Sequence, residues 1–249
     1  MISKSQVSFI KSLHLKKFRK EHHLFIAEGI KSVTEFIHSD YKIDSIFCTS
    51  NALSKVYNLS QKIKFLEVNE ADLAKITALT TPQDIVALIK VPEETAFKSK
   101  NLENTFSLIL DGIQDPGNMG TIIRTADWFG FKQIICSHQT VDVYNPKVVQ
   151  ATMGSLPRIN AHYVDLDDVL SSVNVPVFGA LLEGDSIYNT DFGQEGVLIL
   201  GNEGNGISEN LKKYITKKVM IPRFGNAESL NVAISAAIFC SEMKRNYIK

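Results

Sequence analysis

A chain of 249 residues, 44% hydrophobic and 22% charged, has the size and composition of an ordinary globular protein, large enough for one big domain or two modest ones. Its formal net charge of zero excludes a uniformly basic nucleic-acid-coating protein, and no apolar run reaches the ~18 residues of a membrane span. Cys48, Cys136 and Cys240 are odd in number and widely spaced, so neither a disulfide framework nor a C-x-x-C site is encoded, and a reducing, cytoplasmic setting is expected.

The neutral average hides an asymmetry. Within residues 1–31, Lys4, Lys11, Lys16, Lys17, Arg19, Lys20 and Lys31 face only Glu21 and Glu28, a local net charge of +5 that the remaining chain balances. Such a front end suits an anionic partner. Its acid-free first twenty residues share traits with an organelle leader, but lysine dominates over arginine and the segment runs straight into a patterned domain. His22 and His23 have no third ligand nearby and read as exposed side chains rather than a metal site.

In chain order, the pattern predicts a helix from Ser5 to Lys20, a strand at Leu24–Ala27 and a helix opened by Glu28 and Gly29. Strands at 43–49, 63–68 and 85–89 alternate with helices at 51–59 and 70–78, which makes residues 1–92 a small three-layer α/β domain. Residues 93–105 are polar and aperiodic and read as a linker. From 106 to 249 the pattern restarts. Buried strands are predicted at 106–111, 134–136, 176–182, 197–200 and 219–221, with helices at 118–129, 145–153, 167–173 and 208–214 and a long final one from Glu228. This is an open, mainly parallel sheet covered on both faces, and in such sheets ligands bind beyond the C-terminal strand ends.

Three loops at those ends are chemically unusual. The first, after Asp111, carries Asp115-Pro-Gly117 turn chemistry, Asn118 as a helix start, and Arg124 one turn beyond Gly120, a charged fork suited to phosphate or carboxylate. The second has Gly201, Gly204 and Gly206, which let backbone approach a ligand closely. Its spacing is not the dinucleotide fingerprint, and Glu203 would repel a pyrophosphate, so a nicotinamide enzyme on a Rossmann-like sheet is disfavoured. The third runs from Ile221 through Pro222 and Gly225 into a helix start crowded with Glu228, Ser229 and Asn231, polar groups that compete with helical hydrogen bonding. Ala233, Ala236 and Ala237 would let that helix pack closely, against its twin in a dimer.

Taken together, these loops resemble the motifs of the SpoU (TrmH) family of RNA ribose 2′-O-methyltransferases within the SPOUT class. Motif one matches at Asn118, Gly120, Arg124 and Ala126. Motif two matches at Leu200, Gly201, Glu203, Gly204 and Gly206, and motif three at Ile221, Pro222 and Glu228 to Val232. The front domain is similar to the substrate-binding domain related to ribosomal protein L30e, through Lys16-Lys17-x-Arg19, Phe25-x-x-Glu28-Gly29 and the tail from Thr81. The resemblance implies an α/β knot, a deep trefoil and a rare exception to unthreaded topology. It implies S-adenosylmethionine as co-substrate, held at Leu181, Gly201, Ile221 and Leu230, with no metal. It also implies a homodimer whose interface completes the site, and a ribosomal or transfer RNA substrate.

On this reading Arg124 stabilises the incipient alkoxide, since an arginine is effectively never deprotonated. Asn118, Glu203, Ser229 and Asn231 position it and the ribose. Lys16, Lys17, Arg19 and Lys20 hold the RNA by phosphate contacts. Two positions depart from the pattern: Arg223 stands where many members have Met, and Gln150 where many have Arg. Methylation of an RNA base, as in other SPOUT enzymes, and an RNA-binding assembly factor that has lost catalysis are the alternatives.

Overall fold

The computed structural model describes residues 2–59, 62–93 and 96–245. Two units result: Met1–Glu93 together with Asp142–Arg158, and Glu94–Val141 together with Ile159–Lys249. The first therefore borrows a segment from the middle of the chain.

In the first unit, the strands β1 (Leu24–Glu28), β2 (Ile43–Cys48), β3 (Phe65–Glu67) and β4 (Ile85–Lys90) form a sheet of order β1-β4-β2-β3. Strand alternation divides β1 between two cores. Leu24 and Ile26 join Ile10 and Leu13 of the first helical segment and Leu73 and Ile76 of a helix at Glu70–Ile76. Phe25 turns the other way, its ring 5.4 Å from Phe36 and 4.6 Å from Tyr144. Glu28 is structural: buried at the end of β1, it accepts hydrogen bonds from Thr77 Oγ1 (2.5 Å) and Ala78 N (2.7 Å).

The helix expected over Ser5–Lys20 is two helices, α1 (Lys4–Ser12) and α2 (Lys16–His22). Arg19 explains the break. Its Nη1 donates to the carbonyls of Leu13 (3.0 Å) and His14 (2.9 Å), satisfying acceptors that the interruption leaves open, while Nη2 pairs with Asp142 Oδ2 at 2.6 Å. With only 3% of its surface exposed, Arg19 cannot offer its guanidinium to an RNA phosphate, which corrects the RNA-binding role assigned to it.

The second unit holds β5 (Phe106–Asp111), β6 (Gln133–Cys136), β7 (Asn160–Tyr163), β8 (Val177–Ser186), β9 (Gly196–Gly201) and β10 (Lys217–Met220). They pair in parallel throughout, in the order β10-β8-β9-β5-β6-β7. Alternate residues of β5 and β9, Ile109 with Val197 and Ile199, pack on one face against Leu166, Val169, Leu170 and Leu211. Two long helices, Pro116–Trp128 and Val232–Lys244, pack against each other.

Several sequence expectations change here. β7 escaped notice because Asn-Ala-His-Tyr is an edge strand with no apolar run. The stretch read as a linker buries Leu102 in the sheet's core and packs Phe97 against it, although its residues 94 and 95 lie outside the described residues. The last helix starts at Val232, not Glu228. Asn231 is its N-cap, accepting from Ala233 N (2.9 Å) and Ile234 N (3.3 Å), so Glu228, Ser229 and Leu230 stay in the preceding loop. Ala233 and Ala236 are buried within the chain itself, which leaves only Ala237 of the three small residues partly exposed.

Candidate active site

β5 is the switch point of the parallel sheet: β6 lies on one side of it and β9 on the other, so the loops leaving β5 and β9 diverge above a crevice. The register sets Asp111 beside Gly201 at that edge. Asn202 Nδ2 donates to the Gly112 carbonyl (2.8 Å), and Ser208 N donates to Asp111 Oδ2 (2.8 Å), so the two loops are fastened together on both sides of the glycine turn. Asn202 Oδ1 further accepts from Gly204 N (2.9 Å) and Asn205 N (3.1 Å). Sequence reasoning passed over Asn202. Its signal is an asparagine directly after a buried strand with a glycine two residues on, the pattern of an Asx turn.

The glycines of this loop also serve the loop itself. A Cβ on Gly201 would lie 2.1 Å from Gly206 C and 2.3 Å from Ile207 N, so the loop closes back on itself over the bare Cα. Gly206 has φ +67°, a left-handed conformation that glycine adopts without cost, and around Gly204 there is room.

Asp115 caps the helix Pro116–Trp128, its Oδ1 accepting from Asn118 N at 2.8 Å, and Pro116 occupies the first turn, where its missing N–H costs nothing. Asn118 is thereby fixed one turn into the helix. Its Nδ2 donates to Glu203 Oε1 (2.8 Å), and its Oδ1 accepts from Asn231 Nδ2 (2.8 Å). Because Asn231 also caps the final helix, one hydrogen-bonded chain runs from Glu203 through Asn118 and Asn231 to the helix N-terminus. Each link polarises the next. Residues from three loops, separated by up to 113 positions, are brought to one place.

Arg124 and Ser229 stand outside that chain. Arg124 is exposed on the first long helix, and among the described residues neither side chain has a hydrogen-bond or ion-pair partner. Arg223 donates weakly to the Ala227 carbonyl (3.4 Å), within the third loop. Gly201 ends β9 and Ile221 directly follows β10, whereas Leu181 lies midway along the longer β8 and not at its end; the three strands are neighbours in the sheet, and Leu230 directly precedes Asn231. Backbone polarity is abundant there. The β10 register jumps from Gly179 to Asp185 of β8, leaving residues 180–184 unpaired with β10. From Pro222 to Leu230, no backbone group bonds another backbone group among the described residues. A ligand held mainly through backbone atoms fits such loops.

In the first unit, Lys16, Lys17 and Lys20 are exposed on α2. Beside them His22 contacts Phe9 (centroids 5.0 Å apart) and stacks on Phe18 (6.4 Å), with Lys17 Nζ 5.7 Å from the Phe18 ring. Gln150 lies on a short helix, Pro146–Ala151, that contacts β1.

No reactive thiol is present at the site. Burial pushes Cys48 up to about 11, with Glu67 adding to the effect, and pushes Cys240 up to about 12; Cys136 is raised further still. No group of three or more metal-ligating side chains occurs among the described residues, and no helix there is long and apolar enough to cross a membrane.

Fold and loops together define a SPOUT-like methyltransferase domain with a small α/β domain attached. Residues 105–241 match the SpoU rRNA Methylase family and residues 4–87 match the MRM3-like substrate binding domain. The chain belongs to the SpoU rRNA methylase family. It is 32% identical to the 23S rRNA (guanosine(2553)-2′-O)-methyltransferase of Bacillus subtilis, with 94% of each chain covered. Among solved structures, an AdoMet-bound rRNA methyltransferase from Sinorhizobium meliloti aligns with TM-score 0.88 and 30% identity over 100% of this chain and 98% of that one. A TrmH-family protein from Porphyromonas gingivalis aligns with TM-score 0.89 and 38% identity over 99% of each.

Proposed function

We propose that this protein transfers the methyl group of S-adenosylmethionine to a ribose 2′-hydroxyl of ribosomal RNA. The observation that carries the proposal is the Glu203–Asn118–Asn231 chain, which joins the three motif loops at the switch point of the sheet. S-adenosylmethionine supplies an electrophilic methyl on a sulfonium, whose departing sulfur is neutral, so the reaction needs no metal. The protein's task is alignment of the 2′-oxygen and stabilisation of the negative charge that grows on it.

Leu181, Gly201, Ile221 and Leu230 hold the methyl donor, largely through the unspent backbone of their loops. Asn118, Glu203, Ser229 and Asn231 position the ribose, and Arg124 provides the positive charge. That Arg124 has no hydrogen-bond or ion-pair partner among the described residues fits a role toward the RNA across a subunit interface. Trp128 (84% exposed), Phe224 (95%) and Ile234 (51%), from the helices and loop around it, give a homodimer its apolar contact surface. Residues 1–92 act as the RNA-binding domain through Lys16, Lys17 and Lys20, and residues 106–249 as the methyltransferase domain, its C-terminal segment threaded as a trefoil knot. Buried, unpaired cysteines suit a reducing cytoplasm.

The test incubates the protein and labelled S-adenosylmethionine with unmodified ribosomal and transfer RNAs and maps the methyl by mass spectrometry. A ribose-borne methyl in ribosomal RNA is expected. A methyl on a base, or binding of RNA with no methyl-donor binding at all, would overturn the proposal. Arg124→Ala should keep donor affinity and lose about 10²–10³ in rate, the scale for removing one preorganised charge stabiliser.

A further inference from the structure

The core beneath α1 takes Ile10 and Leu13, whereas Phe9, next to Ile10, stays exposed, as does His22 on α2. The two rings meet on the outside of the first unit, their centroids 5.0 Å apart and their planes at 64°. Phe18, half-buried, lies nearly parallel to His22, at 6.4 Å and 10°, and Lys17 Nζ stands 5.7 Å from the Phe18 centroid. Single exposed rings are ordinary on a protein surface; three rings in mutual contact, contributed by two helices, are a patch that calls for an occupant.

Charge says what kind. Lys4, Lys11, Lys16, Lys17 and Lys20 are all exposed on these two helices, where Glu21 is the only acid. Residues four apart share a row on a helix, so α2 carries Phe18 with His22 in one row, Lys17 with Glu21 in the next and Lys16 with Lys20 in a third, while Arg19 holds the buried side. The ring row therefore borders the row of Lys17 directly. A helix with its side chains is about 10–12 Å across, which sets aromatic faces and ammonium groups apart by the reach of one or two nucleotides. A lipid surface is the weaker match. An interfacial helix presents an unbroken apolar face, and here the rings pack on one another around a polar imidazole, on helices of nine and seven residues.

We infer that Phe9, Phe18 and His22 form a stacking platform for a base of unpaired RNA, whose flanking phosphates lie on Lys17 and the lysines around it. Every base has a π-face, and proteins that hold single strands combine such rings with a basic track for the backbone. In paired RNA those faces are covered by neighbouring bases, and only loops, bulges and ends offer them. Lysines alone hold paired and unpaired RNA alike, because phosphates carry the same charge in both. The rings add a choice that charge cannot make, and they make it by pairing state rather than by sequence. The inference rests on the RNA-methyltransferase reading and deepens it, naming the kind of RNA segment that the first unit holds.

The experiment measures binding of the full chain to a short unpaired RNA of mixed sequence, to a blunt RNA duplex and to the unpaired RNA with abasic sites. His22 is the residue to change, because its exposure separates it from the core. His22→Ala should melt with the unaltered protein, bind the unpaired RNA about tenfold more weakly and bind the duplex as the unaltered protein does. His22→Tyr, which keeps a ring, should recover most of the loss; His22→Leu, apolar but without a π-face, should not. The unaltered protein should bind abasic RNA as weakly as His22→Ala binds the intact strand, and 2-aminopurine in the unpaired RNA should lose more fluorescence on the unaltered protein than on His22→Ala. Lys17→Ala, by contrast, should weaken unpaired and duplex RNA alike. Equal losses on both RNAs in His22→Ala, full recovery in His22→Leu, or His22-dependent binding to phosphatidylglycerol vesicles with RNA binding unmoved would overturn the platform and leave ribose methylation standing. Absence of methyl transfer to any ribosomal or transfer RNA would instead overturn the reading on which it rests.

Discussion

Substituting Gly201 by alanine tests the idea that the second loop is shaped by its own closure. The added methyl would sit 2.1 Å from Gly206 C, 2.3 Å from Ile207 N and 2.4 Å from Gly206 O. Carbon atoms rest at about 3.5–4.0 Å, so the turn must move outward by roughly 1.4 Å or more. That movement breaks the reciprocal pair Asn202 N to Gly206 O (3.0 Å) and Gly206 N to Asn202 O (2.9 Å). Two hydrogen bonds at ~1 kcal/mol each and overpacking at ~1–3 kcal/mol together give about 3–5 kcal/mol. For a chain of this length that corresponds to a fall in Tm on the order of 10 °C. Glu203 travels with the turn, so the contact to Asn118 goes too, and methyl-donor affinity should drop at least tenfold by calorimetry. The neighbouring glycines supply the controls. Gly204→Ala meets nothing closer than 3.6 Å and should be nearly silent, while Gly206→Ala, at φ +67°, should cost about 1–2 kcal/mol through backbone strain alone. If Gly201→Ala melts with the unaltered protein and binds the donor within twofold, or if Gly204→Ala is as damaging, the reasoning is wrong.

Asn118→Asp keeps the side chain's shape but removes the donor to Glu203 and sets two carboxylates at the former 2.8 Å contact; turnover should fall on the order of 10²-fold while Tm moves by only a few degrees, and equal turnover would disprove the positioning role. Lys16→Ala, Lys17→Ala and Lys20→Ala should each reduce the salt slope of RNA binding by about one and leave stability alone. Arg19→Ala should do the reverse, costing about 3–5 kcal/mol because it strands the Asp142 carboxylate, with the salt slope unchanged; a change in slope without destabilisation would restore Arg19 to the RNA surface. Iodoacetamide at neutral pH should leave Cys48, Cys136 and Cys240 unmodified in the native protein, and mass-spectrometric detection of rapid alkylation would contradict their burial.

Much of the architecture was legible because burial on both faces of a parallel sheet writes continuous apolar runs, as at Phe106–Asp111 and Gly196–Gly201. What hid from the sequence hid for physical reasons. Asn160–Tyr163 is an edge strand and needs no such run, and the helix break before Lys16 depends on a guanidinium that folds back on carbonyls five and six residues earlier. Arg19 looked like one more member of a basic face because composition counts charges and cannot see which of them Asp142, 123 positions away, will bury. The borrowed segment Asp142–Arg158 was invisible for the same reason: its helix has ordinary caps and an ordinary pattern, and long-range contacts such as Asp142 with Arg19 and Tyr144 with Phe25 reveal its side.

The site was half legible, and the half that was missed explains the half that was seen. Asn118, Glu203 and Asn231 stood out as polar residues where helix starts and glycine turns do not need them. The chain that joins them exists only because Asn202 and Asp111 fasten the second loop to the first. Those two residues make their bonds to backbone groups, Gly112 O and Ser208 N; the Asx-turn pattern marks Asn202 as a turn residue but does not announce its bond to the other loop, and Asp111 carries no signal beyond its place at a strand end. Their placement has a chemical consequence. The same two bonds that fasten the second loop to the first also form a wall of a neighbouring cleft, which Gln139 lines as well, so Glu203 cannot be moved without reshaping that wall. Asn202→Ala, which removes the bond to Gly112 O and the two bonds to Gly204 N and Asn205 N, should therefore lower methyl-donor affinity at least tenfold by calorimetry, whereas Gln139→Ala, which takes part in neither fastening bond, should leave it where it was. Donor affinity unchanged in Asn202→Ala, or lowered as far in Gln139→Ala, would show that the fastening bonds do not set the loop for the donor.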